Sequence, residues 1–305
     1  MIFLTDSPKR ILLIVNPASG MTKAKEALLP ILSVFTEKGY LTTVLTTAGP
    51  GDAANFAEKY ADGYEIVVCC GGDGTLNEII SGMLRTGIRK PIGLIPCGTT
   101  NDVAHTMNLP CSTLTDAATA AVCGRAIPHD IGIFNGSRIF SYVASFGAFT
   151  KVSYDTPQWL KNMFGHFAYV LDGIASVGDI RPQKMQVRAG SACIEGEFIF
   201  GSVTNATSVG GVVKLNEKDV QVNDGKFEIL LIRNPRKPSE LTKILSCLKK
   251  QQYDGEYVYL LAEKSVEFQA DSEVPWTVDG ERAGAPMNVK IVNLNNAITM
   301  MYPEK

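Results

Sequence analysis

Apolar and polar positions follow two different patterns along this chain. Up to about residue 130, short apolar runs that each suit one buried strand are separated by stretches with apolar residues at helical spacing. The predicted strands cover residues 10–15, 41–46, 66–70 and 91–95. Alternating strands and helices predict a parallel α/β sheet with right-handed crossovers.

The helices between these strands carry two local predictions. A stripe of Leu28, Ile31 and Phe35 marks an amphipathic helix, which Pro30 should kink or restart because proline lacks the backbone N–H. Asp52 should cap the next helix. A further helix is predicted near residues 115–123.

The pattern changes near Asp130. Strand-like runs then dominate, at 138–145, 184–189, 197–205, 227–232, 258–261 and 266–270, with helices near 157–177 and 241–251. Closely spaced strands with few helices predict an antiparallel sandwich. We therefore expect an α/β domain at 1–130 and a β-sandwich domain at 131–290. The last segment, 291–305, can return to the first domain.

Composition and charge exclude several classes of protein. Hydrophobic residues make up 45% and charged residues 20% of the 305 positions, which is typical of globular proteins. A net charge of −2 argues against a general nucleic-acid binder. Seven cysteines without a Cys-x-x-Cys pair indicate a reduced chain. Neither a signal-peptide pattern nor an apolar run of roughly 18 residues is found, so we expect a cytoplasmic protein.

The glycine-rich stretch Gly71-Gly72-Asp73-Gly74-Thr75 lies between a predicted strand and a predicted helix. Glycines there let a polyanion approach backbone N–H groups at the start of the helix. A carboxylate beside phosphates is repulsive unless a cation lies between them, so Asp73 indicates a site for a phosphate together with Mg²⁺. The alternative is a tight turn with a solvated Asp73.

Two other polar loops follow predicted strands of the same sheet. They are Asn16-Pro17-Ala18-Ser19-Gly20 and Pro96-Cys97-Gly98-Thr99-Thr100-Asn101-Asp102. Ligands of parallel sheets bind at the carboxyl ends of the strands, where all three loops fall. No Walker A loop is present, and the first loop lacks the G-x-G-x-x-G pattern of dinucleotide-binding folds.

These three loops resemble the motifs of the diacylglycerol kinase catalytic domain in order and spacing, and Val278-Asp279-Gly280-Glu281 resembles a fourth motif. The resemblance covers nearly the whole chain, in the manner of bacterial lipid kinases. NAD kinases and phosphofructokinases share the Gly-Gly-Asp-Gly turn, and the other two loops favour a lipid kinase. The implied fold is a Rossmann-like α/β domain of the NAD kinase and phosphofructokinase type, followed by a C-terminal β-sandwich.

The resemblance implies ATP and Mg²⁺ as cofactors. The positions that match ATP-binding ones are Asn16, Pro17, Ala18, Ser19, Gly20, Thr47, Gly72, Asp73, Gly74, Thr75, Leu76, Asn77, Glu78 and Thr99. Asp73, Asp102 and Asp130 match the network that holds the catalytic Mg²⁺. A structural Mg²⁺ would be held by the Asp224 carboxylate and the carbonyls of Gln221 and Lys226. Glu281 matches the general base, and Asp73 the other catalytic residue.

Three of these positions have ordinary alternatives, and one position departs from the family. Asp130 and Asp224 each lie in a sequence that also suits a plain turn, and Glu281 could be a solvated turn residue. His105 stands where family members often carry arginine, which affects the charge expected beside the lipid but not the phosphate loops.

The implied activity is transfer of the γ-phosphate of ATP to the hydroxyl of a membrane lipid, with diacylglycerol as the leading substrate. The alternatives are a kinase of NAD type and a nucleotide-binding regulatory protein without catalysis. The expected partner is a lipid at the membrane surface, reached by peripheral contact through Lys23, Lys25 and Lys161. The apolar stripe within 157–177 favours core packing over a lipid-facing surface. A homodimer is one option for assembly.

Overall fold

The computed structural model describes residues 9–19, 23–147, 182–209, 213–216 and 218–304. Gly20, Lys161 and the predicted helix at 157–177 lie outside these ranges, and the side chain of Lys23 is not described. The chain divides into two units, Met1–Ile131 with Asn296–Lys305, and Gly132–Asn295. Each unit is described separately.

The strands are numbered in chain order through the described ranges. They are β1 (Lys9–Val15), β2 (Tyr40–Thr46), β3 (Ile66–Gly71), β4 (Pro91–Pro96), β5 (Arg125–Phe134), β6 (Arg138–Phe140), β7 (Val143–Gly147), β8 (Gln183–Ala189), β9 (Ala192–Thr204), β10 (Ser208–Val209), β11 (Val213–Lys214), β12 (Phe227–Arg233), β13 (Val258–Glu263), β14 (Ser265–Ala270), β15 (Trp276–Val278), β16 (Glu281–Arg282) and β17 (Asn288–Tyr302). The helices are α1 (Lys23–Glu37), α2 (Asp52–Tyr60), α3 (Asp73–Thr86), α4 (Asp102–Thr106), α5 (Leu114–Cys123) and α6 (Pro238–Lys250).

The first unit is built on a parallel sheet with the strand order β2-β1-β3-β4. The last residues of β17 extend this sheet, because Thr299 and Met300 pair in parallel with Pro91 and Ile92 of β4. The central strand β3 is apolar and buried along its whole length, and β1 and β4 are buried beyond their first residues, as expected for a parallel sheet covered on both faces. The edge strand β2 contains three threonines and is only partly buried. Ile11, Leu13 and Val68 pack with α1 and α5 in the core. The α/β class predicted from the sequence is confirmed.

The two local predictions about the helices have different outcomes. The helix does not restart at Pro30, which lies inside α1, because Ile31 and Phe35 are fully buried and hold the helix against the core. A kink at Pro30 stays a prediction, and the predicted cap at Asp52 is wrong. Asp52 is not the cap of α2, because Gly51 takes that position. The Asp52 carboxylate instead accepts hydrogen bonds from the backbone N–H groups of Ala48 and Gly49, at 2.8 and 2.9 Å.

The second unit is an antiparallel assembly centred on the long strand β9. The first half of β9 pairs with β8, and its second half pairs with β7 and β12. One strand thus connects β8 with β7 and β12 in a single sheet. Its core is rich in aromatic side chains, and Trp276 lies within 5.5 Å, between ring centroids, of Phe134, Phe146 and Phe268. The predicted β-sandwich class is confirmed.

The predicted strand at 138–145 is interrupted at residues Ser141 and Tyr142, between β6 and β7. The backbone N–H groups of Ser141, Tyr142 and Val143 bind the carboxylate of Asp279, a residue more than 130 positions away. A local apolar pattern cannot predict such a long-range acceptor. No helix in the described ranges has both the length and the apolar composition needed to cross a bilayer.

Candidate active-site residues in the two units

The three predicted phosphate loops of the first unit leave the carboxyl ends of β1, β3 and β4. In the sheet, β2 lies on one side of β1 and β3 lies on the other. The connections that leave β1 and β3 therefore run in opposite directions, and these two strands flank a topological switch point. Ligands of open α/β sheets bind at such points. The sheet pairing continues into the loops, because Asn16 N–H donates to the Cys70 carbonyl at 2.9 Å and Cys97 N–H to the Gly71 carbonyl at 2.8 Å.

Two of the loops touch through their glycines. A Cβ added to Gly72 would lie 3.1 Å from the Cα of Gly98, and a Cβ added to Gly98 would lie 2.7 Å from the Cα of Gly72. Only residues without side chains allow this approach of two backbones. Gly74, by contrast, is exposed and has no atom within 4 Å of an added Cβ. The space above Gly74 is therefore open to a ligand.

The first loop is joined to α3 by side-chain contacts. Asn16 Nδ2 donates to Thr75 Oγ1 at 3.0 Å, and Asn16 Oδ1 accepts from Ala18 N–H at 3.0 Å. Both residues were predicted to bind ATP, and their contacts shape the loop. Thr47 directly follows β2, and its N–H donates to the Val15 carbonyl at 2.9 Å. Thr99 is exposed.

Asp73 begins α3 and binds the start of the short helix α4. Its Oδ2 accepts from Asp102 N–H at 3.1 Å and its Oδ1 from Val103 N–H at 3.2 Å. Burial raises the pKa of Asp73, and these hydrogen bonds and the nearby His105 offset part of the rise. The residue with the strongest predicted role in metal binding thus also joins the second loop to the third.

Asn101 organises the third loop, a role that the sequence analysis did not assign. Its Oδ1 accepts from Gly98 N–H at 2.9 Å and its Nδ2 donates to the Gly98 carbonyl at 2.8 Å. Asn101 adopts a left-handed conformation with φ of 53°, which asparagine tolerates better than most residues. The sequence signal that could have indicated this role of Asn101 was an asparagine three positions after a glycine in a polar loop.

The donor set near Asp73 fits Mg²⁺ bound together with phosphates. Asp102 is fully buried, and its backbone is in direct contact with the Asp73 carboxylate. Mg²⁺ sites of kinases use one or two carboxylates, several waters and the phosphates of the substrate. Within the described part of the chain, no group of three or more His, Cys, Asp or Glu side chains could hold a metal by itself. Asp73 and Asp102 supply carboxylates of the kind that such a site uses, and their part in metal binding stays a prediction.

Asp130, the third predicted member of this network, is fully buried in β5. Its Oδ1 accepts from Asn296 N–H at 2.7 Å. This contact ties β5 to β17 and gives Asp130 a structural function, and its predicted part in metal binding stays a prediction. The preceding residue, His129, shares a 2.7 Å hydrogen bond with the Tyr302 hydroxyl, and burial lowers the pKa of His129 to about 4.

Glu78 was predicted to bind ATP, and its carboxylate caps the neighbouring helix. Oε1 accepts from Gly51 N–H at 2.9 Å and Oε2 from Ala53 N–H at 3.2 Å. Free N–H groups at a helix start favour a negative charge, so Glu78 stabilises the start of α2. The described contacts of Glu78 are structural, and an ATP contact stays a prediction.

In the second unit, Glu281 opens β16 with a side chain that is 66% exposed. Its Oε2 pairs with Nη2 of Arg138 at 2.9 Å. Asp279, two positions before Glu281, is buried and accepts four hydrogen bonds. Three come from backbone N–H groups and one comes from the Ser141 hydroxyl. Burial raises the pKa of Asp279 to about 6, against the lowering effect of these bonds.

The predicted structural Mg²⁺ site lies at the turn before β12. Asp224 Oδ1 accepts from Lys226 N–H at 2.9 Å, which closes a turn around Gly225. The Lys226 carbonyl accepts from Asn293 Nδ2 at 3.1 Å, and Gln221 is exposed. Burial raises the pKa of nearby Glu228 to about 8. The turn reading of Asp224 is therefore supported, while its role as a metal ligand stays a prediction.

Comparison with protein-family models defines the class of protein. The "Diacylglycerol kinase catalytic domain" model matches residues 10–134. The "YegS C-terminal NAD kinase beta sandwich-like domain" model matches residues 143–300. The chain belongs to the diacylglycerol kinase family, and its activity is that of an ATP-dependent lipid kinase. The predicted family is confirmed.

Individual relatives agree with this assignment. The chain is 31% identical over 298 residues to the diacylglycerol kinase of Bacillus subtilis (strain 168), covering 97% of both sequences. It is 30% identical to that of Staphylococcus carnosus (strain TM300), covering 97% of this chain and 96% of the relative. A crystal structure of a diacylglycerol kinase from Bacillus anthracis str. Sterne has the same fold, with a TM-score of 0.72, 20% identity and 98% coverage of both chains.

Proposed function

We propose that this lipid kinase transfers the γ-phosphate of ATP to the free hydroxyl of diacylglycerol and so produces phosphatidic acid for phospholipid synthesis. The observation that carries the site is the contact between Gly72 and Gly98, which joins two glycine loops at the carboxyl edge of a parallel sheet. The acceptor is inferred from relatives that are named diacylglycerol kinase and that this chain matches over nearly their whole length.

ATP is proposed to bind over the start of α3. The N–H groups at a helix start favour phosphate, and the open space at Gly74 lets a phosphate approach the backbone. Ser19, Thr75 and Thr99 follow the carboxyl ends of β1, β3 and β4, respectively. This arrangement suits a nucleoside triphosphate. Oriented backbone N–H groups can offset the negative charge of its phosphates, so a Walker A loop is not required.

The reaction moves one phosphoryl group and one proton. The lipid hydroxyl oxygen forms a bond with the γ-phosphorus, and the bond from this phosphorus to the oxygen that bridges the β- and γ-phosphates breaks. The electron pair of that bond stays on ADP. The hydroxyl proton passes to the carboxylate of Glu281 and then to water.

Mg²⁺ is the second proposed cofactor. Asp73 and Asp102 would hold it, with Asp130 as a further candidate. Bound there, Mg²⁺ offsets the charge of the phosphates. The chain's own contribution is to fix the Asp73 carboxylate, which is held by the backbone N–H groups of Asp102 and Val103.

Contact with the membrane surface is part of the proposal, because diacylglycerol remains in the bilayer. Lys25 is exposed, and Lys23 and Lys161 are the other proposed contacts. Each basic residue near an anionic surface contributes about 1 kcal/mol of binding, and salt weakens this contribution. Binding to anionic vesicles that falls with added salt is the expected result.

The test is a phosphorylation assay with radiolabelled ATP and Mg²⁺ in mixed micelles. The acceptors compared are diacylglycerol, sphingosine, phosphatidylglycerol, undecaprenol and NAD. We expect label in phosphatidic acid, formed about 100-fold more slowly, but at a measurable rate, when Glu281→Gln replaces the wild type. Faster labelling of another lipid would move the acceptor assignment to that lipid. Labelled NAD would favour the NAD-kinase alternative, and no labelled product would favour the regulatory one.

A further inference from the structure

The turn that carries Glu281 has a defined shape. Asp279 and Gly280 connect β15 and β16, and both adopt left-handed conformations, with φ of 47° and 80°. Two such residues form the hairpin turn that suits the twist of its strands. Val278 pairs directly with Glu281 across this turn. The position of the Glu281 backbone is therefore set by the hairpin.

The same turn is anchored to one short segment of the second unit, residues 138–143. At one end of the turn, the buried carboxylate of Asp279 accepts from the N–H groups of Ser141, Tyr142 and Val143, at 2.7, 3.1 and 3.0 Å. These bonds hold the loop side of the hairpin. None of these three bonds involves the exposed side chain of Glu281.

Arg138 supplies that contact from the start of the same segment. Its Nη2 donates to Glu281 Oε2 at 2.9 Å, and its Nη1 donates to the Arg282 carbonyl at 2.6 Å. One planar guanidinium thus binds both the carboxylate and the backbone next to it. In the described part of the chain, the other oxygen of Glu281, Oε1, makes no hydrogen bond.

We propose that Arg138 is a positioning residue that orients the Glu281 carboxylate for proton transfer, an inference that rests on the proposed function. Arg138 holds Oε2 and leaves Oε1 to accept the proton of the lipid hydroxyl. Proton transfer requires hydrogen-bond distance and alignment, so a carboxylate that rotates freely is aligned for a smaller share of the time. Surface ion pairs contribute little to folding, so the effect on rate can be separated from any effect on stability.

Arginine is the residue suited to this position. Its fixed fork of N–H groups can bind a carboxylate and a carbonyl at once, whereas the single ammonium of lysine is a point charge. Arg138→Lys keeps the positive charge and loses the second contact. An intermediate rate for that variant would separate orientation from charge.

The experiment measures diacylglycerol phosphorylation by the full chain carrying Arg138→Met or Arg138→Lys. We expect kcat to fall about 10-fold for Arg138→Met and less for Arg138→Lys, with KM for ATP changed by less than about twofold. The matched control is Lys184→Met, which removes an exposed 2.9 Å ion pair with Asp271 in the same unit. That control should keep the wild-type kcat.

A double variant tests whether Arg138 acts through Glu281. Arg138→Met combined with Glu281→Gln should be no slower than Glu281→Gln alone, because the group being positioned is already lost. A further drop in the double variant, or a wild-type kcat for Arg138→Met, would overturn the inference. Full activity of Glu281→Gln would instead overturn the proposed base, and a wild type that phosphorylates no lipid would overturn the proposed function.

Discussion

The backbones of Gly72 and Gly98 meet so closely that a Cβ on Gly98 would lie 2.7 Å from the Cα of Gly72. This contact joins the loop after β3 to the loop after β4. Neither backbone is free to move aside, because Gly72 is the N-cap residue of α3 and Asn101 holds Gly98 through two hydrogen bonds.

Gly98→Ala should separate the two loops. Overpacking against backbone typically costs about 1–3 kcal/mol, so we expect the free energy of unfolding to fall by that amount and ATP binding to weaken. Gly74→Ala is the matched control, since its added Cβ meets no atom within 4 Å. Urea unfolding should show no loss of stability for Gly74→Ala. Equal stability of the two variants would contradict the importance of the loop contact.

Asp73→Asn should reduce both activity and stability. Its amide group would face one of the two backbone N–H groups that now donate to Asp73, which costs about 1–2 kcal/mol of unfolding free energy. If Asp73 holds Mg²⁺ as proposed, loss of its charge should lower kcat about 100-fold or more, and added Mg²⁺ should not restore it. Urea unfolding and Mg²⁺ titration of the rate check the two effects. A near-normal kcat would remove Asp73 from the chemistry.

Glu78→Gln discriminates between a structural contact and an ATP contact. The substitution places an amide group against Gly51 N–H or Ala53 N–H, so the unfolding free energy should fall by about 1–2 kcal/mol, as for Asp73→Asn. The described contacts involve only α2, and we therefore expect KM for ATP to change less than about threefold. A large rise in KM with unchanged stability would assign Glu78 to the nucleotide instead.

His129 should make the first unit sensitive to acid. Its pKa is about 4 in the folded chain and about 6.5 when unfolded, so the unfolded chain takes up a proton first as the pH falls. The contribution of neutral His129 to the free energy of unfolding should be fully present above pH 6.5. It should decrease by up to about 3 kcal/mol as the pH falls to 4. His129→Gln should lack this component, and urea unfolding at pH 7.5, 6.0 and 5.0 measures it. Parallel pH profiles of the two proteins would contradict the assignment.

The strands of the first unit could be predicted because β1, β3 and β4 each contain a continuous apolar run, and β2 is rich in β-branched residues that favour strands. The bounds of β1, β2 and β4 differ from the predicted ones by only one residue at an end. The predicted helix restart at Pro30 and the predicted cap at Asp52 were wrong for a different reason. They used local rules, while burial of Ile31 and Phe35 and the loop contacts of Asp52 decided the outcome.

The candidate site was predicted by motif and only partly by physics. Glycines and Asp73 indicated a phosphate turn, but no local pattern could show that Glu78 binds the start of α2 or that Asp279 binds residues 141–143. Arg138 was missed for the same reason. Its partner Glu281 lies 143 positions away, so only the pairing of strands brings the two together.

Helix α3 uses two of its acidic side chains to hold neighbouring backbone. Asp73 holds the start of α4, and Glu78 holds the start of α2. Loss of either carboxylate would therefore be selected against even in a descendant that no longer transferred phosphate. A related chain that keeps Asp73 and Glu78 cannot on that ground be counted as an active kinase. Glu281, whose exposed side chain supports little of the fold, is the better marker of a retained activity.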